Sequence, residues 1–593
     1  MARYSAPLAD IRFALYDVLD VESVFQRLPG FETATRDVVD AVLDEAAKFT
    51  EQVLAPLNQT GDQEGCHFDA ATASVRTPAG FRKAYEHYVA NGWAGLTAPA
   101  AYGGQEMAQV LGGAVKEMLD SANLAWGNYP LLSHGATEAL LQHGEDWQRE
   151  AFLKPIVEGR WTGTMCLTEP HCGTDLGLLK TKAEPAGDGS HRISGTKIFI
   201  TAGEHDLTEN IVHLVLARLP DAPAGVKGIS LFVVPKFKVG RDGTPGARNA
   251  LACGAIEHKM GIKGSATCTM NFDGAEGWLL GQPNKGLNAM FTMMNTARIA
   301  VGLQGLALTE RAYQNSLDYA RERLQMRALS GAKFPDKPAD PLIVHPDIRR
   351  MLLTQKAFAE GGRLLALYAY TQEDIHKRSP DAAERERAEA LVSFLTPIVK
   401  ALLTETAIEC TYDALQIFGG HGYIVEHGME QFARDARITT LYEGTTQIQA
   451  LDLLGRKVLQ LQGAGLRHFL LDISAFCEAH AGAADMAAFI GPLASATKAL
   501  SDLTMDIAKR AATNPDEMGA AAYDYLFFSG YVALAYFWAK SVVAAAARPA
   551  IREAKLQTAR FYFARILPRI GTHAAAIRAG ASTLLDMTDA DFG

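Results

Sequence analysis

Along the first part of the chain apolar side chains return every three or four positions, the spacing of one helix face. The stretch RDVVDAVLDEAAKFTEQVLAPL puts Val38, Val42, Ala46, Phe49 and Val53 on such a stripe, and Gly- and Pro-rich breaks such as APAAYGGQ follow it. A helical segment over 36–160 is therefore expected, after an N-terminal extension of 1–35. From 161 to 284 the period falls to two. HRISGTKIFIT alternates Ile193, Gly195, Lys197, Phe199 and Thr201 against Ser194, Thr196, Ile198 and Ile200. ENIVHLVLARL and KGISLFVVPKF add strands rich in β-branched residues, bounded by Gly, Pro and Asp turns. Helical spacing resumes over 285–463, interrupted by the loop SGAKFPDKPADPLIV, and continues through an alanine-rich segment over 464–593. The pattern predicts a mostly α protein with a central β domain.

Composition narrows the partners. A length of 593 residues calls for several domains. A net charge of −10 argues against a nucleic-acid scaffold, which needs a basic face. The seven cysteines are scattered without a CxxC pair, as expected of reduced thiols, with no metal site and a cytoplasmic location. The N-terminus lacks the apolar core of a signal peptide. The most apolar run, YVALAYFWAKSVVAAAA, is broken by Lys540 and reads as a buried helix, so no membrane span is expected.

Neither GxGxxG after a strand, GxxxxGK[ST], HExxH nor GxSxG occurs. His421 and His427 lack the spacing of paired ligands on one helix face. Three stretches do carry candidate chemistry. In MCLTEPHCGTDLGLLKTKA, Thr168, Glu169, Gly173, Thr174 and Asp175 make a polar turn, either a plain strand connection or a set of donors for an acceptor-rich ring or pyrophosphate. In KIFITAG, Phe199 and Thr201 either cover and bond a flat ring or are a core phenylalanine beside a surface threonine. Arg323 in YARERLQMR is either solvated or a phosphate ligand. Most unusual is LYEGTTQIQ, which sets Glu443 on a tight turn beside apolar sequence. Gly444 permits close backbone approach, Thr445 or Thr446 can cap the next helix, and Ile448, Leu451, Leu454, Val458 and Leu461 form the stripe expected to hold it down.

Taken in order, MCLTEPHCGTD, GTKIFITAG, YARER, LQIFGGHGY, ARDARI and LYEGTTQIQ resemble the acyl-CoA dehydrogenase family over about residues 35–463. The extension, the added helices and the insertion after Arg323 further resemble its longer branch, which includes the 3-methylmercaptopropionyl-CoA dehydrogenases. The resemblance implies a helical domain, a β-barrel-like domain and a four-helix bundle, with FAD as cofactor. Met165, Leu167, Thr168, Gly173 and Thr174 would line the isoalloxazine, joined by Phe199 and Thr201. Arg323, Gln416 and Gly420 would complete the adenine and pyrophosphate end in a neighbouring subunit, with Thr445 and Gln447 near the cofactor of their own chain. Departures are Met165 where relatives commonly carry an aromatic, Phe199 where they carry tryptophan, and LQMRALSG after Arg323 in place of a Phe-Gly pair.

The reaction so implied is α,β-dehydrogenation of an acyl-CoA thioester, with a desolvated carboxylate taking the α-proton and donors holding the thioester oxygen. Glu443 fills the role of base, since the alternative family position, in the MNTAR stretch, is Ala297. Asn295, Arg298, Gly444 and Thr174 fall on the substrate side, Arg298 either along the CoA channel or on a plain helix surface. The family also implies an electron-transferring flavoprotein as electron acceptor, and the extra helices suggest a homodimer. Alternatives are an acyl-CoA oxidase and a non-catalytic acyl-CoA-binding flavoprotein. Substrate length, from 3-methylthiopropionyl to long fatty acyl groups, stays open.

Overall fold

The computed structural model describes residues 2–593, which form two compact units. One unit joins Lys48–Ala108 to Ala122–Ala297. It is built on a seven-stranded sheet whose strands are β1 (Trp161–Cys166), β2 (Lys182–Pro185), β3 (His191–Thr201), β4 (Asn210–Ala217), β5 (Ser230–Pro235), β6 (Leu251–Ile256) and β7 (Thr267–Leu280). The spatial order is β1-β4-β5-β7-β3-β2, with β6 added on β7. Only the β1–β4 pair is parallel, Trp161 opposite Asn210 through Cys166 opposite Val215. Every residue of β1, β4 and β5 is buried, which explains the near-continuous apolar runs of β4 and β5 in place of alternation, while β1 buries Thr162 and Thr164 among its apolar residues. The long β7 pairs with β6 and β3 over most of its length and turns to β5 only at Trp278–Leu280.

Strand β3 departs from the period-two pattern. Lys197 faces Met270 but Ile200 faces Cys268, so one extra residue is accommodated on β3 as a bulge. Phe199 sits in it at φ +60°, in the left-handed region. The bulge shifts the alternation: Ile193, Lys197 and Ile200 are buried, and Phe199 is 59% exposed. The expected single face running from Ile193 to Thr201 is thus split, and Phe199 is no core residue.

The other unit joins the N-terminal segment through Ala47 and Gln109–Ser121 to Arg298–Gly593. Helices Pro346–Arg378 and Ala382–Phe418 pack side by side, with helix Gly286–Glu322 from Gly302 onward against them. Gly302 and Gly305 permit that approach, since added Cβ atoms would lie 2.8 Å from the Val399 carbonyl oxygen and 2.4 Å from that of Leu403. The 464–593 helices are not peripheral within the unit. Helix Asp516–Ala545 packs on Ala382–Phe418, and Trp538 Nε1 donates to the Ala357 carbonyl at 3.1 Å. By length and composition Ala382–Tyr423 and Asp516–Ala545 are apolar enough to cross a membrane, but 78% and 83% of their most apolar windows are buried inside the protein.

The N-terminal segment is tied in by charge. Arg363, fully buried, bonds Glu117 bidentately, with Nη2–Oε1 at 2.6 Å and Nε–Oε2 at 3.0 Å, and also Glu310 at 2.8 Å and Asp10. Asp10 in turn pairs with Lys555 of the C-terminal helices, and Lys555 with Glu360 at 2.8 Å. One cluster therefore joins the extension, the bundle and the appended helices.

Candidate active site

Glu443 follows the C-terminus of helix Met429–Thr439 and precedes helix Thr446–Leu451. It is held at φ +55°, a region non-glycine side chains avoid, and Gly444 follows at φ +89°. Thr445 is the N-cap, its hydroxyl accepting from Ile448 N at 3.4 Å, while Thr446 donates to Glu405 Oε1 at 2.5 Å. Gln449 Nε2 closes the turn by donating to the Glu443 carbonyl at 3.0 Å and, more weakly, to that of Gly444 at 3.4 Å. Lys400 Nζ donates to the Gly444 carbonyl at 2.8 Å. The turn is held from below by two separate helices.

The stripe behind this turn differs from the expected one. Leu454 and Val458 are buried, but Leu451 and Leu461 are exposed. The segment Asp452–Gln460 winds as a π-helix, in which Leu453 is buried beside Leu454 and Val458, and Leu461 just beyond it is exposed.

Space at the turn is tight. A Cβ on Gly444 would lie 2.8 Å from Gln449 Nε2, and the positive φ adds strain. Gly444→Ala is expected to lower stability by about 1 kcal/mol or more, read from urea or thermal unfolding against wild type.

The charges around Glu443 decide its acidity. The side chain is half-buried, and the surrounding protein pushes its carboxyl above the ordinary glutamate range, while Arg298 and Lys400 pull it back. Arg298 is buried, so the plain surface arginine is excluded; its Nη1 meets Asp452 at 3.2 Å. Arg298 Nε and Gln449 Oε1 are buried with no hydrogen-bond partner among the described residues. Those are a donor and an acceptor left for a polar group from outside the chain. Neither does the backbone N–H of Glu443 bond a carbonyl among the described residues. A desolvated carboxylate beside a spare amide donor is the equipment for proton abstraction next to a carbonyl.

In the sheet unit, Met165 is buried at the end of β1, and Leu167 and Thr168 are half-buried. Gly173 and Thr174 lie exposed on the turn that follows, where a Cβ on Gly173 would meet only Thr168 Cγ2, at 3.6 Å. Glu169 anchors that turn, accepting from Lys197 Nζ at 2.8 Å, Thr181 Oγ1 at 2.6 Å and Lys180 N at 2.7 Å. Glu169, His171 and Cys172 present ligand atoms within 4.8 Å of one another. Yet Glu169 is saturated by these donors and His171 Nε2 is engaged with the Leu178 carbonyl at 3.0 Å, so the group is a structural turn. The Ile198 N–H donates to the Thr168 carbonyl at 2.9 Å and ties the turn to β3, where Phe199 projects and Thr201 is half-buried. An apolar ring kept out of the core on a strained backbone fits a flat apolar ligand. With the open Gly173–Thr174 turn beside it, it makes an apolar cover next to exposed backbone, a pairing that a flavin ring fits.

Asn295 is exposed on helix Gly286–Glu322, and Ala297 is buried and carries no acid. Arg323 follows that helix with an exposed side chain and a fixed backbone, its carbonyl accepting from Leu342 N at 2.9 Å. The insertion behind it is ordered around buried Asp340, which accepts from the N–H groups of Ala328, Lys333 and Phe334. Gln416, Gly420 and Gln447 are exposed, and nothing within 4 Å would meet a Cβ on Gly420. Sequence reasoning missed Lys400. Its signal was a lone charge in the apolar run ALVSFLTPIVKALLT.

Comparisons with known proteins agree along the whole chain. Residues 37–160 match the acyl-CoA dehydrogenase N-terminal domain, 164–275 its middle domain and 284–459 its C-terminal domain. Residues 469–588 match a family described as acetyl-CoA dehydrogenase C-terminal like. The chain is 42% identical over 589 residues to a 3-methylmercaptopropionyl-CoA dehydrogenase of Ruegeria pomeroyi, spanning 98% of this chain and 99% of that one. It is 34% identical over 585 residues to a butyryl-CoA dehydrogenase of Syntrophomonas wolfei subsp. wolfei, spanning 91% and 95%. A solved acyl-CoA dehydrogenase complexed with FAD, from Bacillus anthracis, shares the fold with a TM-score of 0.74 at 19% identity, over 96% of this chain and 92% of that one.

Proposed function

Because the chain belongs to the acyl-CoA dehydrogenase family, we propose that it oxidises acyl-CoA thioesters to trans-2-enoyl-CoA with FAD, Glu443 removing the α-proton. The observation that carries this is the Glu443 turn: a carboxylate raised in pKa by burial, on a strained backbone, with its own N–H unspent. The carboxylate takes the proton from Cα, and the Glu443 N–H donates to the thioester oxygen as charge builds there. FAD, when bound, would supply the hydride acceptor for Cβ. Met165, Leu167, Thr168, Gly173, Thr174, Phe199 and Thr201 would hold its ring, with Thr445 and Gln447 as further contacts from the same chain. Exposed Arg323, Gln416 and Gly420 serve the cofactor of a second copy, which makes the enzyme a homo-oligomer; a monomer by light scattering would end that part. Thr174, Asn295, Arg298 and Gly444 face the substrate, and an electron-transferring flavoprotein takes the electrons onward.

The relative in Ruegeria pomeroyi favours 3-methylthiopropionyl-CoA as one substrate, and the butyryl-CoA dehydrogenase favours a short acyl chain. Anaerobic mixing with acyl-CoAs of graded length, 3-methylthiopropionyl-CoA among them, tests this. Flavin bleaching with a product two mass units lighter than its substrate is expected. A yellow protein that no acyl-CoA bleaches contradicts the proposal, a colourless one points to a binding protein, and peroxide release in air points to an oxidase.

Phe199 separates cofactor holding from folding. Phe199→Gly relieves a left-handed backbone worth about 1 kcal/mol, so the apoprotein is expected to melt no lower than wild type. The same variant is expected to hold FAD more weakly, as read by flavin fluorescence on dilution. Unchanged retention of FAD would remove Phe199 from the cofactor site.

A further inference from the structure

Lys400 takes no part in the chemistry above, yet its side chain is fully buried. It sits on helix Ala382–Phe418, and its Nζ hydrogen bond goes to a neutral group, the Gly444 carbonyl at 2.8 Å, one residue beyond the base. A buried ammonium is costly unless its charge has work to do. The charged groups that face it are Glu443 on the turn, Glu405 on its own helix and Arg298 on helix Gly286–Glu322. Glu405 is partly occupied, since it accepts from the Thr446 hydroxyl at 2.5 Å. Arg298 is engaged by Asp452, whose other oxygen is held by Arg456 at 2.6 Å. The Lys400 charge therefore has Glu443 as its freest counterpart.

We propose that Lys400 is a positioning residue for the reaction: its ammonium clamps the Gly444 carbonyl and supplies the positive charge that keeps Glu443 ionised until substrate arrives. This rests on Glu443 being the base. The placement is self-consistent in charge. Burial pushes the Lys400 ammonium down to about 7, opposed by Glu443 and Glu405, and pushes the Glu443 carboxyl up, opposed by Arg298 and Lys400. Each charge thus favours the ionised form of the other against the cost of burial. On proton abstraction Glu443 becomes neutral, and Lys400 keeps Glu405 as counter-charge and Gly444 as hydrogen-bond acceptor. The turn stays in place through turnover.

The test is the pH dependence of anaerobic flavin reduction in the FAD-loaded enzyme, for wild type, Lys400→Met, Lys400→Arg and Glu443→Gln. Wild type gains rate with pH as Glu443 ionises. Loss of a nearby cation raises a carboxyl pKa, so in Lys400→Met the rising limb is expected to move up by about one pH unit. The rate then falls about tenfold on the limb and little on the high-pH plateau. Lys400→Arg keeps the charge and is expected to restore the wild-type limb. A Lys400→Met plateau that drops while its limb stays in place overturns the proposal, because that is what loss of a merely structural clamp produces. If Lys400→Met does not fold, Lys400→Gln carries the same comparison. Glu443→Gln separates the two failures: wild-type reduction by that variant overturns the base itself, whereas an inactive Glu443→Gln with an unmoved Lys400→Met limb overturns only the role of Lys400.

Discussion

Glu443→Gln is expected to keep its fold and its flavin while anaerobic reduction by acyl-CoA slows by about 10²–10⁴-fold, the usual contribution of a positioned base. The substitution preserves shape. Gly444, the Thr445 cap and the Gln449 and Lys400 hydrogen bonds all involve backbone or other side chains, so the turn keeps its supports. What is lost is the ability to take a proton. No neighbour replaces it: position 297 is alanine, and Glu405 is held by Thr446. Stopped-flow absorbance reads the rate, and matched melting curves show that the fold is intact. In wild type the rate is expected to fall as pH drops through the Glu443 pKa, at a higher pH than an ordinary glutamate would give, because burial raises that pKa.

Arg363→Met is expected to destabilise the protein by about 3–5 kcal/mol, the cost of stranding one member of a buried ion cluster. Glu117 and Arg363 are both fully buried, and the substitution leaves Glu117 without its cation and frees Asp10 and Glu310 from a shared partner. Burial already raises the Glu117 pKa with the arginine present. Without it the folded-state value rises further above the unfolded one, so the deficit is smallest at low pH, where Glu117 is protonated. It grows as pH climbs through the folded value. Urea unfolding at pH 5.5 and 8 reads this; a deficit equal at the two values, or below about 1 kcal/mol, would show that the cluster does not carry this strain. The arrangement also explains why the N-terminal extension belongs to the fold: Asp10 bridges Arg363 and Lys555, so that segment neutralises charges from the bundle and from the C-terminal helices.

The sequence patterns were most informative where the determinants are local. The change of period from 3.6 to 2 and back marks the sheet, and the Tyr-Glu-Gly-Thr-Thr turn marks Glu443, because a carboxylate, a glycine and a capping threonine within four residues determine one another's backbone. What escaped notice depends on partners distant in sequence. Lys400 is 44 residues from Gly444, and its bond to that carbonyl exists only once two helices have packed. Arg363 meets Glu117 across 246 residues. The bulge at Phe199 was hidden for another reason: unbroken alternation and a one-residue bulge produce the same run of residue types, and only the pairing of β3 with β7 distinguishes them. The stripe after Gln447 holds only at Leu454 and Val458; spacing of three and four assumes an α-helix throughout, and the wider winding of Asp452–Gln460 leaves Leu461 beyond it exposed.

The decisive measurement is single-turnover, anaerobic flavin reduction by an acyl-CoA deuterated at Cα or at Cβ, with wild type and with Glu443→Gln. The expected result is bleaching of the wild type, slowed by deuterium at either carbon, and near-total loss of bleaching in the variant. Bleaching of Glu443→Gln at the wild-type rate, or a wild-type rate indifferent to deuterium at Cα while deuterium at Cβ slows it, would contradict abstraction of the α-proton by Glu443.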